Sequence, residues 1–369
     1  MKKGKILSII VPTYNMEKYL HKCLDSLIVS VENMQRLEVL VINDGSKDSS
    51  SQIAHEYEAK YPQTFRVIDK ENGNYGSCIN RGLKEATGKY VKVLDADDYY
   101  VKDIFNSFIS FLSQTDVDLI INDFNIVDEK GEVIDEYTFN LPIDRNFTLA
   151  DIPERMTEWL WHHGITYRTG ILRKINYKQT EGISYTDDEW IFMPMVAVRT
   201  VVYFPQIVYH YLLGREGQTF DPVVMMSSFD KRIKVGMSMV KFYACVQGNC
   251  PNDSKHFMTE KLKRRIMVIY NFYLTKHYTT EGNKLLIAFD QYIKEQSDYI
   301  YQLFTYDKNK FGRKNYICVW REAHYKNTCY LFLRQMKFRI RMWLGKDFRN
   351  LSMPTDLKRK KWIYGISFS

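Results

Sequence analysis

The sequence predicts an α/β domain built on a mostly parallel sheet flanked by helices, followed by a mainly helical C-terminal region. Three observations predict it. Through roughly the first hundred residues, short apolar β-rich runs alternate with segments of helical spacing. Their connections are short, and that order selects parallel pairing with right-handed crossovers. From about Pro222 onward, longer helical patterns dominate. A chain of 369 residues exceeds a typical single domain. A larger domain over 1–215, with halves of about 1–98 and 99–215, and a helical region over 216–369 are therefore expected.

Ile6–Val11 is the first strand, ended by Pro12. Asn15 is placed to cap a helix from Glu17 to about Ser30, where Tyr19, Leu20, Cys23, Leu24 and Leu27 recur at helical spacing. Glu38–Ile42 is the second strand, broken at Asn43-Asp44-Gly45-Ser46, and Asp48 caps a helix to about Lys60. Phe65–Ile68 is a third strand, Asn72-Gly73-Asn74 a turn, Gly76–Ala86 a helix and Tyr90–Leu94 a fourth strand. Ile104–Leu112 reads as a helix, Val117–Ile121 as another buried strand, and 122–145 as a hairpin about Lys130-Gly131. Residues 148–215 mix short helices and strands, and Ser228–Cys245, Lys255–His277 and Asn283–Phe304 are long helices.

The six cysteines form no CxxC pair and no disulfide-like rhythm, which suits free thiols in a reducing compartment. The N-terminal apolar run is too short for a signal-peptide core, and no run of about eighteen apolar residues occurs. A cytoplasmic chain, peripheral on the cytoplasmic membrane face, is expected. The net charge of +8 is uneven, because Lys310 to Ser369 holds fifteen Lys/Arg against three acidic residues. The tail therefore carries +12 and residues 1–309 about −4, so an anionic partner belongs at the tail. No recognised nucleic-acid motif accompanies that charge, so no nucleic-acid partner is expected.

In open α/β sheets, ligands bind at the carboxyl ends of the strands. Each polar cluster here, Thr13-Tyr14-Asn15, Asn43–Ser46, Asn72–Gly76 and Asp95–Asp98, falls just after a strand. Asp95-Ala96-Asp97-Asp98 puts three carboxylates in four residues, which repel unless a cation sits among them. Oxygen ligands of that kind favour Mg²⁺ or Mn²⁺ bridging a substrate phosphate.

Ile9–Asn15, Val41–Ser46, Asn80-Arg81-Gly82 and Leu94–Asp98, in that order, resemble the family 2 inverting glycosyltransferases, with a Rossmann-like GT-A fold. The resemblance is strong over residues 5–125 and weaker to about 215. It implies a nucleotide-diphospho-sugar donor, UDP-linked, lying along Pro12, Thr13 and Asn15, with Asp44 accepting hydrogen bonds from the base. Asn72, Gly73 and Gly76 would form a turn against the nucleotide, with Asn80 in the following helix. Relatives place Ala-Arg-Asn where this chain has Cys78-Ile79-Asn80, so the usual arginine is missing. Asp95 and Asp97 match the metal-binding DxD pair, and Arg215 lies in a loop that in relatives covers the donor diphosphate.

The segment Glu181–Trp190 resembles the family's acidic acceptor-side motif, which makes Asp187 the candidate general base and Asp188 the second choice. A helix start with acidic first-turn residues fits the same sequence. Trp161-His162-His163 suggests an acceptor pocket, and without cysteine partners zinc is not expected there. Residues 329–346 form an amphipathic basic helix, continued by Lys358-Arg359-Lys360-Lys361-Trp362; over 329–369 this suits either an anionic membrane surface or docking on the protein's own core. The implied acceptor is a glycan or lipid-linked glycan. Two rival functions are a catalytically silent nucleotide- or glycan-binding module and a sugar-nucleotide pyrophosphorylase.

Overall fold

The computed structural model describes residues 4–215, 218, 224, 228–305 and 315–343. They divide into two compact units, one within Met1–Asp221 together with Pro251–Phe257, the other within Pro222–Cys250 and Met258–Lys361.

In the first unit, β1 (Leu7–Thr13), β2 (Leu37–Asn43) and β3 (Phe65–Asp69) alternate with α1 (Glu17–Asp25), α2 (Val31–Arg36) and α3 (Ser50–Lys60). Then follow α4 (Asn74–Glu85), β4 (Tyr90–Val93), β5 (Tyr99–Tyr100), α5 (Lys102–Gln114), β6 (Leu119–Val127) and β7 (Val133–Tyr137). β8 (Ile165–Arg168), α6 (Thr169–Lys174), α7 (Asp187–Phe192) and β9 (Val201–Leu212) complete it. These strands form one nine-stranded sheet in the order β3-β2-β1-β4-β8-β6-β9-β5, with β7 added to β6. β1 pairs in parallel with β2 and β4, and β2 with β3. Beyond β4 the sheet is mixed: β8 runs antiparallel to β4 and β6, while β9 runs parallel to β6. β1 and β2 are buried at nearly every position, which is why they read as continuous apolar runs.

Several boundaries differ from the sequence reading. The helix expected from Glu17 to Ser30 ends at Asp25, and Ser30 Oγ caps a second one, α2, by accepting from Asn33 N. α4 begins at Asn74, inside the expected turn. β6 runs to Val127 with every residue buried, since strands flank it on both sides. Its hairpin closes where Asp128 Oδ1 accepts from Lys130 N and Glu132 N, each 2.9 Å, with Gly131 at φ +84°.

The second unit is helical. It includes Phe229–Val246, Thr280–Gln296, Asp298–Leu303, Tyr316–Glu322 and Cys329–Trp343. The helix expected over Asn283–Phe304 breaks at Ser297, whose extended backbone and side-chain cap restart it. The end expected at His277 is a π-helical turn over Phe272–Lys276, with Phe272 stacked 3.6 Å from Phe229. Arg321 pairs with the fully buried Asp290 at 2.6 Å. The basic run at 358–362 lies outside the described residues.

Candidate active site

The carboxyl ends of β1, β2, β3 and β4 lie side by side, and their loops bond to one another. Asn15 adopts φ +53°, which asparagine tolerates, and its Oδ1 accepts from Lys47 N at 2.8 Å while its own N donates to Ser46 Oγ. Thr13 is buried and its carbonyl accepts from Asp44 N at 2.8 Å; Pro12 precedes it, half-buried. Asp44 is 3 % exposed and is held by Lys70 Nζ and by Gly73 N, the latter at 3.0 Å. Asn72 Nδ2 donates to the Asp44 carbonyl at 3.0 Å. Thr13, Asn15, Asp44, Asn72 and Gly73 thus form one hydrogen-bonded set of loops.

Asp95 follows β4 and sits between two donors, with Tyr75 OH at 2.9 Å from Oδ1 and His162 Nε2 at 3.1 Å from Oδ2. Burial opposes its ionisation, but the His162 charge and hydrogen bond outweigh it, so its carboxyl lies below the usual range. His162 is raised in turn, because the Asp95 charge outweighs burial. Asp97 faces Arg215, whose guanidinium binds its Oδ2. Burial nevertheless pushes Asp97 up, the Arg215 charge only partly offsetting it, and Asp95 adds like-charge repulsion. Asp98 is completely buried and accepts from Tyr209 OH at 2.5 Å and Leu212 N at 2.7 Å. Burial, then the charges of Asp97 and Asp95, push it well above the usual range. Asp98 is thus built into the sheet, whereas Asp95 and Asp97 are half-buried at its edge.

Lys92, on β4, is fully buried with no carboxylate partner among the described residues; its Nζ donates to His163 O at 2.7 Å, Ile165 O at 3.1 Å and Asn122 Oδ1 at 3.1 Å. Burial lowers it far below an ordinary lysine. These bonds anchor the short turn His162–Gly164 beside Asp95.

Asp187 opens α7 half-buried, and Asp188 behind it is buried. The Asp187 charge acts on both Tyr75 and His162, which puts it on the same edge as Asp95. Glu189 turns back, accepting from Thr180 N and Thr180 Oγ1 at 2.7 Å each. Asn80 does not join the loop set: its Nδ2 donates to Gln179 O and its Oδ1 accepts from Gln179 N, both at 2.8 Å. It therefore holds the segment leading to α7. Gly76 meets that segment too, since a Cβ there would overlap the Thr180 carbonyl. His162, Tyr75, Lys70 and Tyr209 were not singled out for these contacts. Tyr75 and Lys70 lie next to marked turns, but the 67-residue gap between His162 and Asp95 leaves no local signal.

The donor chemistry of this edge fits a divalent cation: clustered carboxylates whose like charges and burial resist ionisation, with one guanidinium as partial counterion. Asp95, His162 and His163 also bring three ligand atoms within 4.8 Å of one another.

A family model described as glycosyl transferase family 2 matches residues 8–179. Among curated proteins, the chain is 40% identical over 121 residues to the "uncharacterized glycosyltransferase MG025" of Mycoplasma genitalium, covering 32% of this chain and 39% of that protein. It is 30% identical over 192 residues to the "uncharacterized glycosyltransferase EpsJ" of Bacillus subtilis, covering 50% and 54%. The chain thus spans about half or less of these relatives' length. Among solved structures, residues 1–349 of S. aureus TarS in complex with UDP-GlcNAc superimpose with a TM-score of 0.66, at 21% identity and 93% coverage of both chains. That likeness is one of fold.

Proposed function

We propose, from the match of residues 8–179 to the glycosyl transferase family 2 model, that the chain is an inverting, metal-dependent hexosyltransferase. It moves a sugar from a UDP-linked sugar to a hydroxyl of a growing surface polysaccharide or lipid-linked glycan. One observation carries the reading: a single sheet edge gathers Asp44 with Lys70, Asp95 and Asp97 with Arg215, and the charge of Asp187. The fold shared with a UDP-GlcNAc-bound protein supports the choice of donor.

In this reading Asp44 accepts from the base, and the turn Asn72–Gly73 lies against the nucleotide with Pro12, Thr13 and Asn15. Asp95 and Asp97 would hold Mg²⁺ or Mn²⁺, which when bound would supply positive charge against the negative charge of the leaving group. Arg215, paired with Asp97, has the charge to hold a diphosphate oxygen. The acceptor oxygen attacks the anomeric carbon while its proton passes to Asp187, and the bond from that carbon to the diphosphate oxygen breaks. Asp188, next in the chain and buried, is the second candidate for that base.

The helix Cys329–Trp343 supports a membrane-borne acceptor. Leu331 and Gln335 bury one face, yet Phe332, Leu333 and Ile340 stand 51%, 65% and 52% exposed, beside exposed Lys337, Arg339 and Arg341. Apolar side chains interleaved with cations suit an anionic bilayer interface. No described helix is long and apolar enough to cross a membrane.

A thermal-shift panel of nucleotide sugars with Mn²⁺, followed by assay of UDP release, tests the proposal. Stabilisation by one UDP-sugar with metal-dependent release is expected. Binding without turnover favours a silent module, and diphosphate-dependent formation of UTP a pyrophosphorylase.

A further inference from the structure

We propose that Asp95, His162 and His163 form a nitrogen-bearing metal site, so that the protein prefers a transition-metal ion such as Mn²⁺ or Co²⁺ over Mg²⁺. The inference rests on reading the acidic edge as a cation centre and adds ligands that the acidic run alone does not supply.

Three observations carry it. Ligand atoms of the three residues lie within 4.8 Å of one another. His163 is 4% exposed, and neither of its ring nitrogens has a hydrogen-bond partner. Its ring packs against Tyr211 at 4.5 Å and Tyr209 at 4.8 Å, which accounts for its burial, and its Nε2 stands 3.9 Å from Asp98 Oδ2, beyond hydrogen-bond reach. A buried polar group in that condition is costly unless a ligand satisfies it. His162, 7% exposed, lies tilted against His163 with ring centroids 3.9 Å apart and brings Nε2 to 3.1 Å from Asp95 Oδ2. The turn holding both histidines is fixed from below by Lys92, which donates to the His163 carbonyl.

The chemistry then selects the ion. Carboxylate and water serve Mg²⁺ and Mn²⁺ alike, whereas imidazole nitrogen suits the later first-row ions, with affinity rising from Mn²⁺ to Co²⁺, and hard Mg²⁺ gains least from it. The sequence alone argued against zinc because it offered no cysteine partners; the fold supplies a carboxylate in their place.

The test uses the full-length chain stripped of metal. Free Mn²⁺ is followed by electron paramagnetic resonance, Co²⁺ by its visible absorption, and Mg²⁺ by competition, each with and without UDP. Tighter binding of Mn²⁺ and Co²⁺ than of Mg²⁺ is expected, with ¹⁴N modulation of the bound Mn²⁺ signal. His162→Gln and His163→Gln should weaken Co²⁺ by at least about tenfold, the size of even an outer-shell loss, and leave Mg²⁺ nearly unchanged. The ¹⁴N signal from the unaltered protein needs no variant, so misfolding cannot mimic the outcome. Metal bound without ¹⁴N coupling, and equally well by both folded variants, overturns the histidine site while leaving Asp95 and Asp97 as an oxygen-only centre. No metal binding, even with UDP, overturns the cation centre as well.

Discussion

Among individual residues, the three neighbouring aspartates have different lots. Asp98 is enclosed by Tyr209 and Leu212, Asp97 faces Arg215, and Asp95 faces Tyr75 and His162. In the proposed reaction, loss of Asp187 is what separates chemistry from binding. Asp187→Asn is expected to lower kcat by roughly 100-fold to 10,000-fold, the range for general-base catalysis, while leaving the donor Kd unchanged. Single-turnover transfer alongside calorimetric binding of UDP-sugar checks it; a raised Kd with unaltered kcat would remove the base role. The acidic run was legible in the sequence because an apolar strand leads straight into it. The histidines were not, because they meet Asp95 only through the pairing of β4 with β8 and β6 with β8.

Among elements, periodicity marked β1 to β4 well because each is an apolar run ended by a polar loop. It failed where a side chain resets the backbone, as Ser30 and Ser297 do, since serine fits a helix interior and a cap alike. The mixed half of the sheet was less legible, because antiparallel pairing with β8 depends on long-range register. α4 meets the segment before α7 at Gly76, so Gly76→Ala should destabilise the first unit by about 1–3 kcal/mol through overpacking. Urea unfolding measures this, and UDP affinity should fall with it. In the helical unit, Arg321 is the ion partner of the fully buried Asp290, which also accepts from Tyr270 OH. Arg321→Ala strands that carboxylate and should cost about 3–5 kcal/mol by chemical denaturation; a loss below about 1 kcal/mol would mean that water reaches Asp290.

For the molecule as a whole, the charge asymmetry was readable from composition, but the face it occupies was not. The sequence left membrane and self-docking open for residues 329–346, and the helix Cys329–Trp343 buries Leu331 and Gln335 while exposing Phe332, Leu333 and Ile340. Leu333→Glu with Ile340→Glu should abolish co-sedimentation with phosphatidylserine vesicles without altering UDP binding; undiminished sedimentation would remove the membrane face. A last consequence lies in how the donor turn is stitched to the base-bearing segment. Gly182 N donates to Gly73 O at 2.9 Å, and Asn80 grips Gln179. A nucleotide settling on Gly73 would therefore set the position of Asp187 before any acceptor arrives. In the proposed reaction, substrate addition would then be compulsory in order, donor first and nucleoside diphosphate last to leave. Product inhibition should accordingly show UDP competing with the donor alone, and a random-order pattern would mean that the stitch transmits nothing.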